Sequence, residues 1–293
     1  MEGFLQKLNI FAMDIKKNVS KKQYERFVTD NYYAVYEYCI SNKLDFYELI
    51  MKQKFYIDFL KSERKIFPVK LVIFDKDGTL IDNNKLFYPV MEEIFNEIKK
   101  ELEDTKELED LLGFDRKNKK FRDSSKLSTM TKTELKKNIL SYLHIYFEKD
   151  KDFKERIIDK INNCEINKKN VHPIGNIKKL FESLKKKGVK IAICTSDSYK
   201  NTIVCLKQLN VLEYVNRIIC ERNSENKPSP KPLQEIMRVL NVSPEETRMI
   251  GDTYFDIHSG INARCGGVYS VGKSINLTYS DLHLDRAIDY FIH

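Results

Sequence analysis

The chain is 293 residues long, enough for about two domains at roughly 150 residues each and for a core that needs no disulfide or metal staple. Hydrophobic residues make up 42% and charged residues 32%, with 10 Gly and 7 Pro, which excludes collagen-like and low-complexity chains. The net charge of +8 suits a nucleic acid or an anionic small substrate and does not choose between them. No apolar run reaches the roughly 18 residues of a spanning helix. Met1-Glu2-Gly3-Phe4 is not a basic segment leading into an apolar core, so no signal peptide is expected. The six cysteines (Cys39, Cys164, Cys194, Cys205, Cys220 and Cys265) form no C-x-x-C pair and no zinc-like spacing with histidine. A reducing, cytoplasmic setting is expected, with no membrane association.

In chain order, residues 1–66 read as a helical extension. Ser20-Lys21-Lys22-Gln23 has capping-box spacing, and apolar residues from Phe27 to Cys39 and from Leu44 to Leu60 recur at helical intervals. Phe67-Pro68 breaks this pattern, because proline cannot extend a helix there. From Lys70 onward, short apolar runs alternate with amphipathic stretches. The runs are Leu71–Phe74, Val189–Cys194, Val215–Cys220, Arg248–Ile250 and Val268–Val271, with a weaker one at Ile288–Ile292. Each suits a buried strand, and helices fit between them, such as Asn176–Lys187 ending before Gly188. The alternation predicts an α/β fold, a Rossmann-like parallel sheet with helices on both faces. Residues 83–172 hold no comparable strand and read as an all-helical domain inserted after the first strand. The parent domain is then 67–82 together with 173–293. The basic clusters Arg116–Lys120 and Lys185–Lys187 read as solvated surface.

The strongest chemical feature is Phe74-Asp75-Lys76-Asp77-Gly78-Thr79-Leu80, directly after the first strand. Ligands in open α/β sheets bind outside strand C-termini, so this loop is aimed at the crevice. A calcium loop starting at Asp75 fails, because Leu80 would stand where its glycine belongs and Leu86 where its bidentate glutamate belongs. This segment resembles the first motif of the haloacid dehalogenase superfamily, an apolar strand followed by D-x-D-G-T. The other motifs of that family follow in order: Thr195 ending Ile191–Cys194, then Lys227-Pro228-Ser229-Pro230, then Gly251-Asp252-Thr253-Tyr254-Phe255-Asp256. The likeness covers about residues 70–275 and points to the phosphoglycolate-phosphatase-like branch, in which the inserted helical domain is a cap.

The resemblance implies Asp75 as a nucleophile that forms an aspartyl-phosphate and Asp77 as general acid/base. Covalent catalysis divides a difficult hydrolysis into two easier steps, and a nearby carboxyl can protonate the leaving alkoxide and then activate water. Gly78 permits the turn between them. It further implies that Thr195, Ser196 and Gly78 contact the phosphoryl group and that Lys227 neutralises it. Mg2+ is the implied cofactor, held by Asp75, Asp252 and the backbone carbonyl of Asp77, an oxygen-only set. Asp256 either ligates through water or orients the site. By itself Thr195 also fits a helix cap.

Hydrolysis of a small phosphorylated metabolite is therefore the expected activity. A phosphomutase or phosphotransferase of the same superfamily, or a non-catalytic scaffold, are the alternatives. The mutase branch uses a histidine soon after its first motif, whereas here none occurs between Asp77 and His144. No nucleic-acid signature is present, and a monomer or weak homodimer is expected. The polar stretch Asp123–Thr131 fits a substrate-facing loop or a plain linker, and Arg116 and Lys126 could reach a second anionic group.

Overall fold

The computed structural model describes residues 68–122, 132–147, 150–163, 166–220, 226–272, 280, 282–284 and 286–287. The helical reading of 1–66, the whole polar stretch 123–131 with Lys126, and the strand expected at 288–292 lie outside these residues.

A six-stranded parallel sheet forms the centre of the described chain. Its strands are β1 (Leu71–Phe74), β4 (Lys190–Cys194), β5 (Arg217–Ile219), β6 (Thr247–Gly251), β7 (Gly267–Val271) and β8 (Leu282–Leu284). They lie in the order β5-β4-β1-β6-β7-β8. All four residues of β1 are buried, as a central strand covered on both faces demands. Register pairs Phe74 with Ile193 on one side and with Ile250 on the other.

Helices cover both faces. On one, Val72, Phe74, Ile191 and Ile193 share a hydrophobic cluster with Leu180, Phe181 and Leu184 of α5 (Ile177–Lys186). The Phe74 and Phe181 rings lie 5.4 Å apart. Helix α5 forms as its sequence predicts, with buried Ile177, Leu180, Phe181 and Leu184 on one stripe and Asn176 accepting from the Lys179 amide at the N-cap. On the opposite face lies α8 (Tyr254–Asn262), whose Gly260 sits so near Met249 that an added Cβ would come within 2.9 Å of the Met249 Cβ. Helices α6 (Tyr199–Gln208) and α7 (Lys231–Leu240) complete the crossovers. Lys185, Lys186 and Lys187 are exposed, as expected.

Counting only the strands of this sheet in chain order, the arrangement is 3-2-1-4-5-6. The direction of growth reverses between β1 and β6, which creates a crevice at their C-terminal ends.

The inserted segment contains α1 (Asn83–Ile98), α2 (Lys106–Leu112), α3 (Lys132–Tyr146) and α4 (Lys151–Asn163). It is not wholly helical: a two-residue antiparallel ladder joins β2 (Phe114–Asp115) to β3 (Lys120–Phe121). The ladder exists because Phe114 and Phe121 pair across it and bury their rings, with Phe114 stacked between Tyr88 at 4.7 Å and Phe95 at 4.6 Å. The side chain of Asn84 accepts the Phe121 amide at 2.7 Å. Arg116 also departs from the solvated reading. Its guanidinium lies over Phe95 and Phe114 and pairs with Glu109 at 3.0 Å, which ties it to the interior of this segment. The segment has its own hydrophobic cluster, and Phe87 packs against both that cluster and the one under the sheet.

β8 was not anticipated. Leu282-His283-Leu284 is a short alternating run, and its pairing to β7 supplies what local pattern does not. No helix among the described residues is long and apolar enough to cross a membrane.

Candidate active site

Asp75 extends β1 by one residue, since its amide donates to the Ile250 carbonyl at 2.9 Å. Beyond it the chain folds into a tight turn. The Leu80 and Ile81 amides donate to the Lys76 carbonyl, and the Gly78 amide donates to Ile81 at 2.8 Å. Gly78 adopts φ +87, a conformation natural only to glycine, and a Cβ there would lie 2.1 Å from Asp252 Oδ2. Asp252 leaves the adjacent strand β6, and its Oδ1 accepts from Thr79 Oγ1 at 3.0 Å. The two carboxylates thus emerge side by side at the point where strand order reverses.

Gly78→Ala is expected to displace Asp252 or open the turn. The melting temperature should then fall, as a thermal melt would show; an unchanged melt would contradict the role of this close approach.

Lys227 reaches the same place from the proline loop before α7. Its Nζ donates to Asp75 Oδ1 at 2.6 Å and to Asp256 Oδ1. Asp256 is fully buried, and its other oxygen accepts from the Thr253 amide at 3.0 Å and the Thr253 hydroxyl at 2.6 Å, closing the capping box of α8. Both Asp256 oxygens therefore have protein partners. Asp75, Asp252 and Asp256 each offer an oxygen within 4.8 Å of the others. That grouping could hold a metal ion, and Asp77 is not part of it.

Thr195 follows β4 and is buried, with its amide donating to Ile219 at 3.0 Å. Its hydroxyl oxygen accepts the Asp197 amide at 3.1 Å, which leaves the hydroxyl proton to donate. The helix-cap reading of Thr195 does not hold. The cap of α6 is Ser198, whose side chain accepts from the Asn201 amide. Ser196 lies next to Thr195 and is half-buried.

The electrostatics follow from burial. Desolvation lifts the Asp75 carboxyl to about 7; Lys227 opposes the rise, and Asp256 and Asp77 add to it. Asp252 is raised well above its ordinary value by burial and by the charges of Asp75 and Asp256. Burial also lifts Asp77, against the pull of Lys76. Burial penalises the Lys227 ammonium, but Asp256 and Asp75 outweigh that penalty and raise it above its usual range. Carboxyls that resist ionising alone, gathered about one crevice, are a ready receptor for a small hard cation.

The structure brings Asp75, Lys227, Asp252 and Asp256 together at one crevice, and Thr195 follows the neighbouring strand β4. The sequence assigns no site role to Lys76, Thr79 or Asp197. Lys76 is fully buried between Asp77 and Asp197, at 2.5 and 2.9 Å. A lysine embedded in an otherwise buried turn was the available signal. Buried His258, stacked on Tyr254 at 3.8 Å, has a pKa pushed down to about 3 by burial and belongs to the packing of α8.

The fold and the site together define an α/β enzyme with an acidic crevice at its strand-order reversal. The chain belongs to the haloacid dehalogenase-like hydrolases, the family whose model matches residues 72–268. It is 26% identical to the pyrophosphatase PpaX of Bacillus cereus over 196 residues, covering 67% of this chain and 80% of that protein. Among solved structures it resembles a predicted phosphoglycolate phosphatase from Haemophilus somnus, with a TM-score of 0.59 and 18% identity over 78% of this chain and 99% of that one. It also resembles a β-phosphoglucomutase from Clostridium difficile, with a TM-score of 0.54 and 22% identity over 76% of this chain and 95% of that one.

Proposed function

We propose that this protein is a Mg2+-dependent phosphatase that hydrolyses a small phosphomonoester through an aspartyl-phosphate on Asp75. The observation that carries the reading is the juxtaposition of Asp75, Asp252 and Lys227 at one crevice, in a member of this hydrolase family. The oxygen-only donors fit Mg2+, which would be held by Asp75 and Asp252. When bound, the ion supplies positive charge that offsets the repulsion between an anionic nucleophile and an anionic ester. Asp256, with both oxygens engaged, acts by holding Lys227 rather than as a direct ligand.

In the first half-reaction an Asp75 oxygen bonds to phosphorus as the ester P–O bond breaks, and protonated Asp77 gives its proton to the departing alkoxide. In the second, water attacks the phosphorus and yields a proton to Asp77. The Asp75–phosphorus bond then breaks, releasing inorganic phosphate and restoring the carboxylate. Thr195 and Lys227 donate to the phosphoryl oxygens, whose charge is most exposed in the transition state. Ser196 and the Gly78 turn border the same oxygens. The substrate is a phosphorylated small molecule, and the inserted segment would close over it as a cap.

The test is release of phosphate from a panel of phosphomonoesters with and without Mg2+. Release that needs Mg2+ and is abolished by a chelator is expected; no release from any ester would overturn the reading. The name of the Bacillus cereus relative favours pyrophosphate as a second substrate class, so inorganic pyrophosphate belongs in the panel. A mutase would move phosphate between positions without freeing it.

Mg2+ should also stabilise the protein in a pH-dependent way. Folded Asp75 titrates near 7 against an ordinary 3.8, so the folded state holds its proton more tightly than the unfolded state. Metal-free stability should therefore fall as pH rises from about 4 to about 7. Mg2+ requires the ionised carboxylates, so its binding releases protons and strengthens over the same window. The rise in melting temperature on adding Mg2+ should be larger at pH 8 than at pH 5.5, as scanning calorimetry would show.

A further inference from the structure

Lys76 stands between the two aspartates of the first loop, and its side chain is fully buried. A buried ammonium is costly unless its charge is met by partners. Here the partners are Asp77 Oδ1 at 2.5 Å and Asp197 Oδ2 at 2.9 Å. The lysine Nζ also lies 5.7 Å from the ring centroid of Phe87, in α1.

Asp197 is itself fixed from several directions. Its Oδ1 accepts from the Ser198 amide at 2.7 Å and from Asn201 Nδ2 at 3.0 Å, and its amide donates to Thr195 Oγ1. The loop after β4 thus anchors an anion, the anion anchors Lys76, and Lys76 holds Asp77. Asp77 has no place in the Asp75–Asp252–Asp256 grouping, so the orientation of its carboxyl is set from this other side.

A buried ion pair by itself is weak evidence for stability, since well-packed apolar replacements often match it. What this network does supply is a fixed direction for one carboxyl group, and proton transfer depends steeply on such alignment. We propose that Lys76, backed by Asp197, is a positioning residue that holds the Asp77 carboxyl in register with the leaving oxygen of the substrate. This rests on the phosphatase reading, in which Asp77 is the proton donor.

The inference has a signature that plain structural damage lacks. A donor matters most when the departing alkoxide is a strong base and little when it is a stabilised phenolate. Lys76→Met should therefore lower kcat/KM for an alkyl phosphate by about 100-fold or more, the usual worth of a general acid. Its loss on p-nitrophenyl phosphate should be at least about tenfold smaller, because that leaving group depends little on protonation. In an Asp77→Asn background, Lys76→Met should add almost nothing, since both changes remove one interaction. Equal losses on the two esters, no loss, or full additivity with Asp77→Asn would overturn the proposal. If Lys76→Met does not fold, Asp197→Asn decides in the same assay: a leaving-group-selective loss supports the positioning role and an indiscriminate one removes it. Asp75→Asn separates the two levels. Full activity in that variant defeats the phosphatase mechanism, whereas an inactive Asp75→Asn beside an unselective Lys76→Met defeats only this inference.

Discussion

Asp75→Asn is expected to lower kcat/KM for phosphomonoester hydrolysis by about 10⁴-fold or more, the scale on which loss of a covalent nucleophile acts. The amide is nearly isosteric and keeps the backbone bond from residue 75 to Ile250. Its oxygen can still accept from Lys227, so the geometry around the crevice survives while nucleophilic attack does not. Stability should move the other way. Burial resists ionisation of Asp75, with Asp256 and Asp77 adding to that resistance, and a neutral side chain escapes the cost. Without metal at pH 8, the melting temperature of the variant should equal or exceed that of the wild type. A covalent phosphoryl adduct trapped on the wild type and absent from the variant, seen by mass spectrometry, would join the two halves of the result. Retention of more than a tenth of the activity would remove Asp75 from the role of nucleophile.

Lys227→Met should be the most damaging single change to activity and stability together. Its ammonium is the cation between Asp75 and Asp256, and its side chain is only 5% exposed. Removing one member of a buried ion pair leaves uncompensated charge and costs about 3–5 kcal/mol. Asp75, Asp252 and Asp256 would then face one another with no lysine among them. Urea melts of metal-free protein should show this loss, and added Mg2+ should reduce it by restoring positive charge near Asp75. Activity should fall by about 10²–10³-fold, comparable to removing one preorganised donor from a developing oxyanion. A variant of wild-type stability in metal-free buffer would mean that the lysine contributes little to holding the carboxylates together.

Much of the sheet was legible because its strands are buried on both faces and write themselves as apolar runs. Leu71–Phe74 is the clearest case, and Val268–Val271 follows the same rule. β8 was not legible, for it has three residues and owes its place to β7. The β2–β3 ladder was hidden for a related reason. Two residues on each side carry no periodicity, and the rings that hold Phe114 and Phe121 together come from α1, more than a turn of helix away in sequence. In the site, Asp75, Lys227 and Asp252 could be read because each follows or precedes a recognisable break. Lys76 could not, because lysine in a loop ordinarily reads as solvated, and only tertiary structure reveals Asp197 beside it. The partners of Asp256 were likewise not legible, because only tertiary structure places Thr253 and Lys227 against its two oxygens.

The central place of β1 also shapes how the chain is made. The first strand of the sheet takes the middle position, so both its neighbours come from distant sequence: β4 begins at Lys190 and β6 at Thr247. At roughly 5–20 residues per second, a ribosome needs about 10 to 35 seconds between finishing β1 and starting β6. Throughout that interval Leu71–Phe74 is a short apolar segment with an unpaired edge, and Asp75 beyond its end lacks the neighbouring carboxylates Asp252 and Asp256. The inserted helices, made of contacts close in sequence, can collapse first and occupy the wait. The sheet is therefore completed late in synthesis, because β1 gains its second neighbour only when β6 has been made.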